Sequence, residues 1–180
     1  AADRAKQLQK VVSTSRRRNI KPRADLTKLA DLIKKSPDEL KIAAIAAAGQ
    51  WKLEDQRATI ENLATKQNTP AAVRTSAINA IAAIGGDPSI DLLAKLALPK
   101  EKLNTRITAT RALLTISAPR AAEQIISLLT VSGSKDTTTL YRDFIKAKGG
   151  PKALTAALEG ATLPAEIAKL GERAVSSSGK

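Results

Sequence analysis

The feature that most constrains the fold of this chain is an internal repeat. Three segments align with one another, DELKIAAIAAAG from Asp38, AAVRTSAINAIAAIG from Ala71 and LNTRITATRALLTI from Leu103. A basic residue recurs at one aligned position, and an alanine follows it three residues later. The basic residues are Lys41, Arg74 and Arg106, at steps of 33 and 32 residues, and the alanines are Ala44, Ala77 and Ala109. Such a period is typical of stacked units that bury one another's apolar faces.

Helical periodicity runs through almost the whole chain, and no stretch alternates apolar and polar residues for long enough to predict a strand. A second amphipathic segment follows each aligned segment, so that each repeat is expected to hold two helices. Proline and glycine positions predict the helix ends. The predicted helices are 2–17, 23–35, 37–48, 52–66, 70–84, 88–98, 102–117, 119–130, 136–147, 151–159 and 164–176. The fold class is therefore all-α.

Residues 70–96, PAAVRTSAINAIAAIGGDPSIDLLAKL, resemble a short HEAT repeat of the phycobilisome-lyase type in their Val-Arg, Ala-Ile and Ile-Gly pairs. The resemblance covers residues 37–130. It implies a right-handed α-α superhelix, a HEAT-like solenoid of about five helix pairs, with first helices on the convex side and second helices on the concave side. We expect a single helical-repeat domain over 1–180, in which 1–36 form basic, atypical N-terminal helices and 131–180 form C-terminal helices.

A second resemblance concerns residues 153–180, ALTAALEGATLPAEIAKLGERAVSSSGK, which are similar to the region after the HEAT repeats in large planctomycete-type haem-binding proteins. There a cytochrome domain with a Cys-x-x-Cys-His motif follows. This chain has no such motif, so any haem function would lie outside it. The resemblance implies an extracytoplasmic, periplasmic location. Since the chain contains no Met, we expect it to be a processed form or a fragment of a larger protein.

Composition excludes most catalytic chemistry. The chain has no Cys and no His, which removes thiolate nucleophiles, the commonest general base and the commonest zinc ligands. We therefore predict no catalytic residues, no cofactor and no metal site. No apolar run reaches the roughly 18 residues of a membrane span. The 43% of apolar residues come mainly from Ala, Leu and Ile, which suits closely packed helices.

Basic residues are concentrated near the start of the chain. Of the net charge of +13, residues 1–35 carry 11 basic and 3 acidic side chains, a net of +8. The densest group, the basic cluster, is Arg16, Arg17, Arg18, Lys21 and Arg23. We interpret it as a solvated helix end, or an edge that docks a neighbouring domain, because cations complement a helix C-terminus. The alternative is a site for nucleic acid or another polyanion.

The recurring cations Lys41, Arg74 and Arg106 are interpreted as repeat-stacking residues. In this interpretation each side chain binds carbonyls or an acidic residue of the adjacent turn and sets the stacking angle. The alternative is a row of ligand-binding cations.

A remote catalytic alternative rests on Trp51 and Asp55, which share the spacing used by helical-repeat alkylpurine DNA glycosylases. The few aromatic residues and the expected packing of Trp51 argue against it. Acidic residues on the second helices are expected to be solvated, with an acidic surface for a basic partner as the alternative. They are Glu54, Asp55, Asp91 and Glu123.

The sequence thus predicts a non-catalytic scaffold for protein–protein or inter-domain interaction. The predicted partner is a protein or a neighbouring domain, with weak nucleic-acid binding at most and no small-molecule ligand.

Overall fold

The computed structural model describes residues 2–179, and within that range it contains helices and no β-strand. The helices are α1 (Ala2–Arg18), α2 (Leu29–Lys35), α3 (Asp38–Gln50), α4 (Arg57–Thr65), α5 (Ala71–Ile84), α6 (Asp87–Leu96), α7 (Leu103–Leu114), α8 (Ala118–Ala122), α9 (Ile125–Leu129), α10 (Ser134–Lys146), α11 (Gly150–Leu158) and α12 (Ala165–Ser176). A 3-10 turn, Glu54–Gln56, leads into α4. The all-α prediction is confirmed.

The chain divides into two compact units, one ending at Ser89 and the other beginning at Ile90. In the N-terminal unit the first helices of the pairs, α1, α3 and α5, pack side by side, and the second helices α2 and α4 pack against α3 and α5. In the C-terminal unit α10 packs against α7 and α12, while α8 and α9 pack with α11. The single-domain arrangement over 1–180 and the right-handed superhelix stay predictions.

The N-terminal unit has a core of isoleucine and alanine. Ile45, Ile60 and Ile81 are fully buried, and each such side chain contributes about 1.5–3 kcal/mol relative to an exposed one. Small residues bring the first helices close together. A Cβ atom added to Gly49 on α3 would lie 2.7 Å from the Cα atom of Ala80 on α5. The α3–α5 contact therefore depends on the missing side chain at Gly49.

The core of the C-terminal unit uses larger side chains. Leu113, Ile125, Leu129 and Phe144 are all 0% exposed. Here too a glycine permits a close contact, because a Cβ atom on Gly171 of α12 would lie 2.9 Å from the Tyr141 ring on α10. Burial of that ring raises the pKa of the Tyr141 hydroxyl.

The predicted helix 23–35 is too long, since α2 begins at Leu29. The backbone N–H and the hydroxyl of Thr27 both donate hydrogen bonds to the Asp25 carboxylate, and these bonds lower its pKa. Such a side-chain turn competes with helix formation. Local Asp and Thr chemistry therefore overrides the apolar periodicity before Leu29.

The predicted helix 119–130 is also wrong, because the structure divides it into α8 and α9. Gln124 lies between them with φ −104° and ψ −2°, in the bridge region of backbone space. The change of direction lets Ile125, Leu128 and Leu129 all become fully buried. No proline or glycine marks this break, so the sequence pattern could not reveal it.

The repeat register is visible in burial, because the aligned alanines Ala44, Ala77 and Ala109 are each 0% exposed. We expect Ala77→Leu and Ala109→Leu each to lower the unfolding free energy by about 1–3 kcal/mol, since the added carbons have no free space. Urea unfolding would measure the loss. Ala83→Leu, at an exposed position of α5, is the matched control and is expected to leave stability unchanged. Equal stability of all three variants would contradict the register.

Candidate interaction surfaces

The N-terminal unit has an open groove between its two second helices. This α2–α4 groove has a volume of about 450 Å³. Its lining combines apolar and polar side chains, namely Ile33, Lys34, Lys41, Ala58, Thr59, Asn62 and Leu63. Lys41, predicted as a repeat-stacking residue, therefore lies at the rim of a groove.

The C-terminal unit has a larger groove between its second helices α8 and α11. This α8–α11 groove has a volume of about 790 Å³, within the range of ordinary ligand sites. Most of its lining is apolar and small, with three charged residues. The apolar members are Ile116, Ala118, Pro119, Ala122, Ala153, Ala156 and Ala157, and the charged ones are Glu123, Lys148 and Lys152.

Each unit thus has a groove between consecutive second helices. The sequence predicts neither groove, because a groove depends on which surface the packed helices leave uncovered. One signal was available. Helix α11 carries Ala153, Ala156 and Ala157 at a spacing that places them on one face, and Ala156 is exposed.

The basic cluster lies at and beyond the end of α1, and all five of its side chains are exposed. Helix α1 ends at Arg18 because Asn19 adopts a left-handed conformation with φ +51°. The N–H of Ile20 then bonds the Ser15 carbonyl and the N–H of Asn19 bonds the Arg16 carbonyl, a Schellman arrangement. The arginines of the last turn sit where the helix dipole is negative.

Arg16 is the member of the basic cluster that also contacts a repeat helix, since its Nε donates to Oε1 of Gln50 at 2.9 Å. Helix α1 itself packs on α3 through a small cluster of Ala5, Leu40 and Ala43. Deletion of the basic N-terminal residues up to Arg23 is therefore expected to expose Leu40. Because α1 covers α3, we expect this deletion to destabilise the repeats.

The repeat-position cations contact different groups. The Arg74 guanidinium donates to the carbonyls of Lys66 and Gln67, just after α4. The buried Arg106 guanidinium donates to the Ala97 carbonyl, just after α6, at 3.3 Å and to the Ser127 hydroxyl at 2.9 Å. Both satisfy carbonyls that a helix end leaves without intrahelical partners.

Lys41 differs from the two arginines, because its ammonium lies 3.9 Å from the Asp38 carboxylate in the first turn of its own helix. A partly exposed pair at that distance contributes little to stability. The role of all three cations in setting the stacking angle stays a prediction.

The most connected cation, Arg57, was not predicted. Its guanidinium donates to the Glu54 carboxylate at 2.7 Å, to the Ser89 hydroxyl at 2.8 Å and to the Gly85 carbonyl at 2.8 Å. The bonds to Gly85 and Ser89 join the start of α4 to the loop after α5 and to the first turn of α6. The bond from Arg57 lowers the pKa of Glu54. The spacing of Glu54, Arg57 and Glu61 by three and four residues was the available signal.

Trp51 is only 6% exposed, so its indole has little free face on which a nucleobase could stack. Asp55 is exposed at the 3-10 turn that follows. Two of the four acids predicted on second helices are paired with arginines, Glu54 with Arg57 and Glu123 with Arg120 at 2.8 Å. The structure places both just outside a helix, Glu54 in the 3-10 turn before α4 and Glu123 directly after α8. The arginines offset the negative charge of these two acids, so a basic partner would be attracted to them less strongly.

Residues 2–179 contain no group of three or more Asp or Glu residues placed to hold a metal ion. Over the same range, no helix combines the length and apolarity needed to cross a membrane.

Comparison with known proteins gives one family. The model of the family described as HEAT repeats matches residues 26–113, which are 88 of the 180 residues. That segment is therefore HEAT-like, and its helix pairs agree with the match. HEAT repeats generally serve as scaffolds for protein interactions and are typically non-catalytic. No curated protein and no solved structure matches the chain.

Proposed function

We propose that this chain, with HEAT repeats matched over residues 26–113, is a non-catalytic scaffold that holds a protein partner or a neighbouring domain. The observation that carries the proposal is the open groove between consecutive second helices in each unit. Helix pairs that bury their first helices against one another leave the second helices free to contact a partner. The residue composition, without His or Cys, supports a role in binding over one in catalysis.

A photoreactive amino acid at Asn62, which is exposed in the α2–α4 groove, tests this proposal in extract from the source cells. We expect a discrete, saturable protein adduct, because a scaffold presents this surface to its partner. The matched control is Thr75, an exposed position on the first helix α5, which should give no such adduct. The same unselective labelling at both positions would count against the scaffold.

The second candidate is a polyanion-binding protein, favoured by the exposure of all five members of the basic cluster. A photoreactive residue at Lys21 in the same experiment separates the two. Nuclease-sensitive adducts at Lys21, together with none at Asn62, would establish nucleic acid as the ligand. On the scaffold proposal, duplex DNA binds more weakly than about 10⁻⁵ M at physiological salt, in the non-specific range. The contribution of the basic cluster to DNA binding is tested by charge-neutralising substitutions at Arg17, Arg18 and Arg23. Substitution is preferable to deletion, because deletion would remove α1 from its contact with α3.

The phycobilisome-lyase type of the repeats, the planctomycete-type parentage and the periplasmic location stay proposals that rest on resemblance alone. A Cys-x-x-Cys-His motif encoded downstream and a signal peptide encoded upstream would support the parentage.

A further inference from the structure

The α8–α11 groove combines an apolar interior with a positive rim. Ala118 and Ala122 of α8 face Ala153, Ala156 and Ala157 of α11 across it. Alanine side chains leave room for larger apolar side chains from another molecule, and the groove volume of about 790 Å³ can hold several of them. The interior therefore offers apolar burial without a bulky group to displace.

The rim of the α8–α11 groove carries more positive than negative charge. Lys148, just before α11, and Lys152, in its first turn, are both exposed, and no salt bridge of either lysine is found in the described residues. The one acid in the lining, Glu123, accepts two hydrogen bonds from the Arg120 guanidinium, at 2.9 and 2.8 Å. Because Arg120 offsets Glu123, the rim has a net positive charge. The positive end of the α11 dipole adds to the field of the two lysines.

We propose that the α8–α11 groove binds a short amphipathic helix of a partner protein, one whose apolar face enters between α8 and α11 and whose acidic residues meet Lys148 and Lys152. A helix suits the groove because alanine walls permit close helix–helix approach, and because the described residues offer no strand edge to which an extended peptide could pair. The proposal rests on the scaffold function and names the partner chemistry for one of its surfaces.

Selection from a display library of random helical peptides, with the full chain as the target, tests the proposal. We expect the enriched peptides to share an apolar stripe flanked by Asp or Glu, to compete with one another, and to bind less tightly as salt is raised. The absence of enrichment, or enriched peptides without acidic residues, would overturn it. Saturable binding of dodecanoate in the groove, with no enriched peptide, would identify a small amphiphile as the occupant and would also overturn it.

Two variants with matched controls locate the binding. Lys148→Glu with Lys152→Glu should weaken binding of the enriched peptides by at least about tenfold, as measured by fluorescence anisotropy. Lys135→Glu with Lys146→Glu makes the same change of net charge at exposed positions that do not line the groove and should leave the affinity within about twofold. Equal losses in the two double variants would show non-specific charge attraction and overturn the proposal.

Ala156→Trp should weaken binding similarly, because the indole fills the groove from an exposed position. Thr155→Trp is its control, on the next residue of α11, exposed and outside the lining. Circular dichroism confirms that each variant is folded. Peptide binding that survives Ala156→Trp would exclude this groove. The Asn62 adduct depends on the other unit, so the scaffold function can stand when the groove proposal fails.

Discussion

Replacing Gly150 by Ala is expected to lower the unfolding free energy by about 3 kcal/mol. Gly150 opens α11, where it is buried, and an added Cβ atom would overlap the backbone carbonyl of Phe144. That carbonyl belongs to α10, so it cannot move aside as the end of a flexible side chain could. Either the α10–α11 connection shifts or α11 leaves its position.

Gly133→Ala is the matched control, since no atom lies within 4 Å of a Cβ atom built there and its φ is −67°. Loss of a glycine N-cap and reduced entropy of the unfolded chain oppose one another, so we expect a change of less than about 1 kcal/mol. Chemical unfolding monitored by circular dichroism compares the two variants. A Gly150→Ala protein as stable as Gly133→Ala would mean that the α10–α11 turn differs from the one described.

Gly49→Leu is expected to destabilise the N-terminal unit by about 3 kcal/mol, because its side chain would have to separate α3 from α5. Gly49→Ala tests the same contact more finely. In an exposed helix that change would stabilise by about 1 kcal/mol, whereas here the added Cβ atom lies 2.7 Å from the Cα atom of Ala80. We therefore expect a net loss of about 1–2 kcal/mol.

Ala83→Gly, at an exposed position on α5, calibrates helix propensity and should cost about 1 kcal/mol. The sign of the Gly49→Ala effect decides the matter in thermal and urea unfolding. A gain in stability at Gly49 equal to the loss at Ala83 would show that α3 and α5 do not approach closely at this point.

The sequence predicts the repeat register well, and the reason is physical. Each of Ala44, Ala77 and Ala109 must fit against a neighbouring helix, so packing requires an alanine at the same position of each repeat. Helix ends with glycine or proline are predicted for a different reason, because these residues act through local backbone geometry.

Features that depend on tertiary packing are not predicted. The break at Gln124 follows from burial of α9. The Asp25–Thr27 turn is missed for another reason, because its local side-chain hydrogen bonds compete with the periodicity that would otherwise extend α2. In the sequence Arg57 looks like one more surface cation, because only the folded structure places the Gly85 carbonyl beside it. Of the candidate site, the sequence predicts the exposed basic cluster but neither groove.

The bonds of Arg57 have a mechanical consequence for the N-terminal unit. The rigid, planar guanidinium bonds both the Gly85 carbonyl and the Ser89 hydroxyl, so tension that separates the start of α4 from residues 85–89 is shared between two bonds. The bond to the neighbouring Glu54 carboxylate holds the guanidinium in position. If only one of these hydrogen bonds were present, it would carry the whole load. The Arg57 guanidinium therefore resists separation of the start of α4 from residues 85–89 when the N-terminal unit is extended.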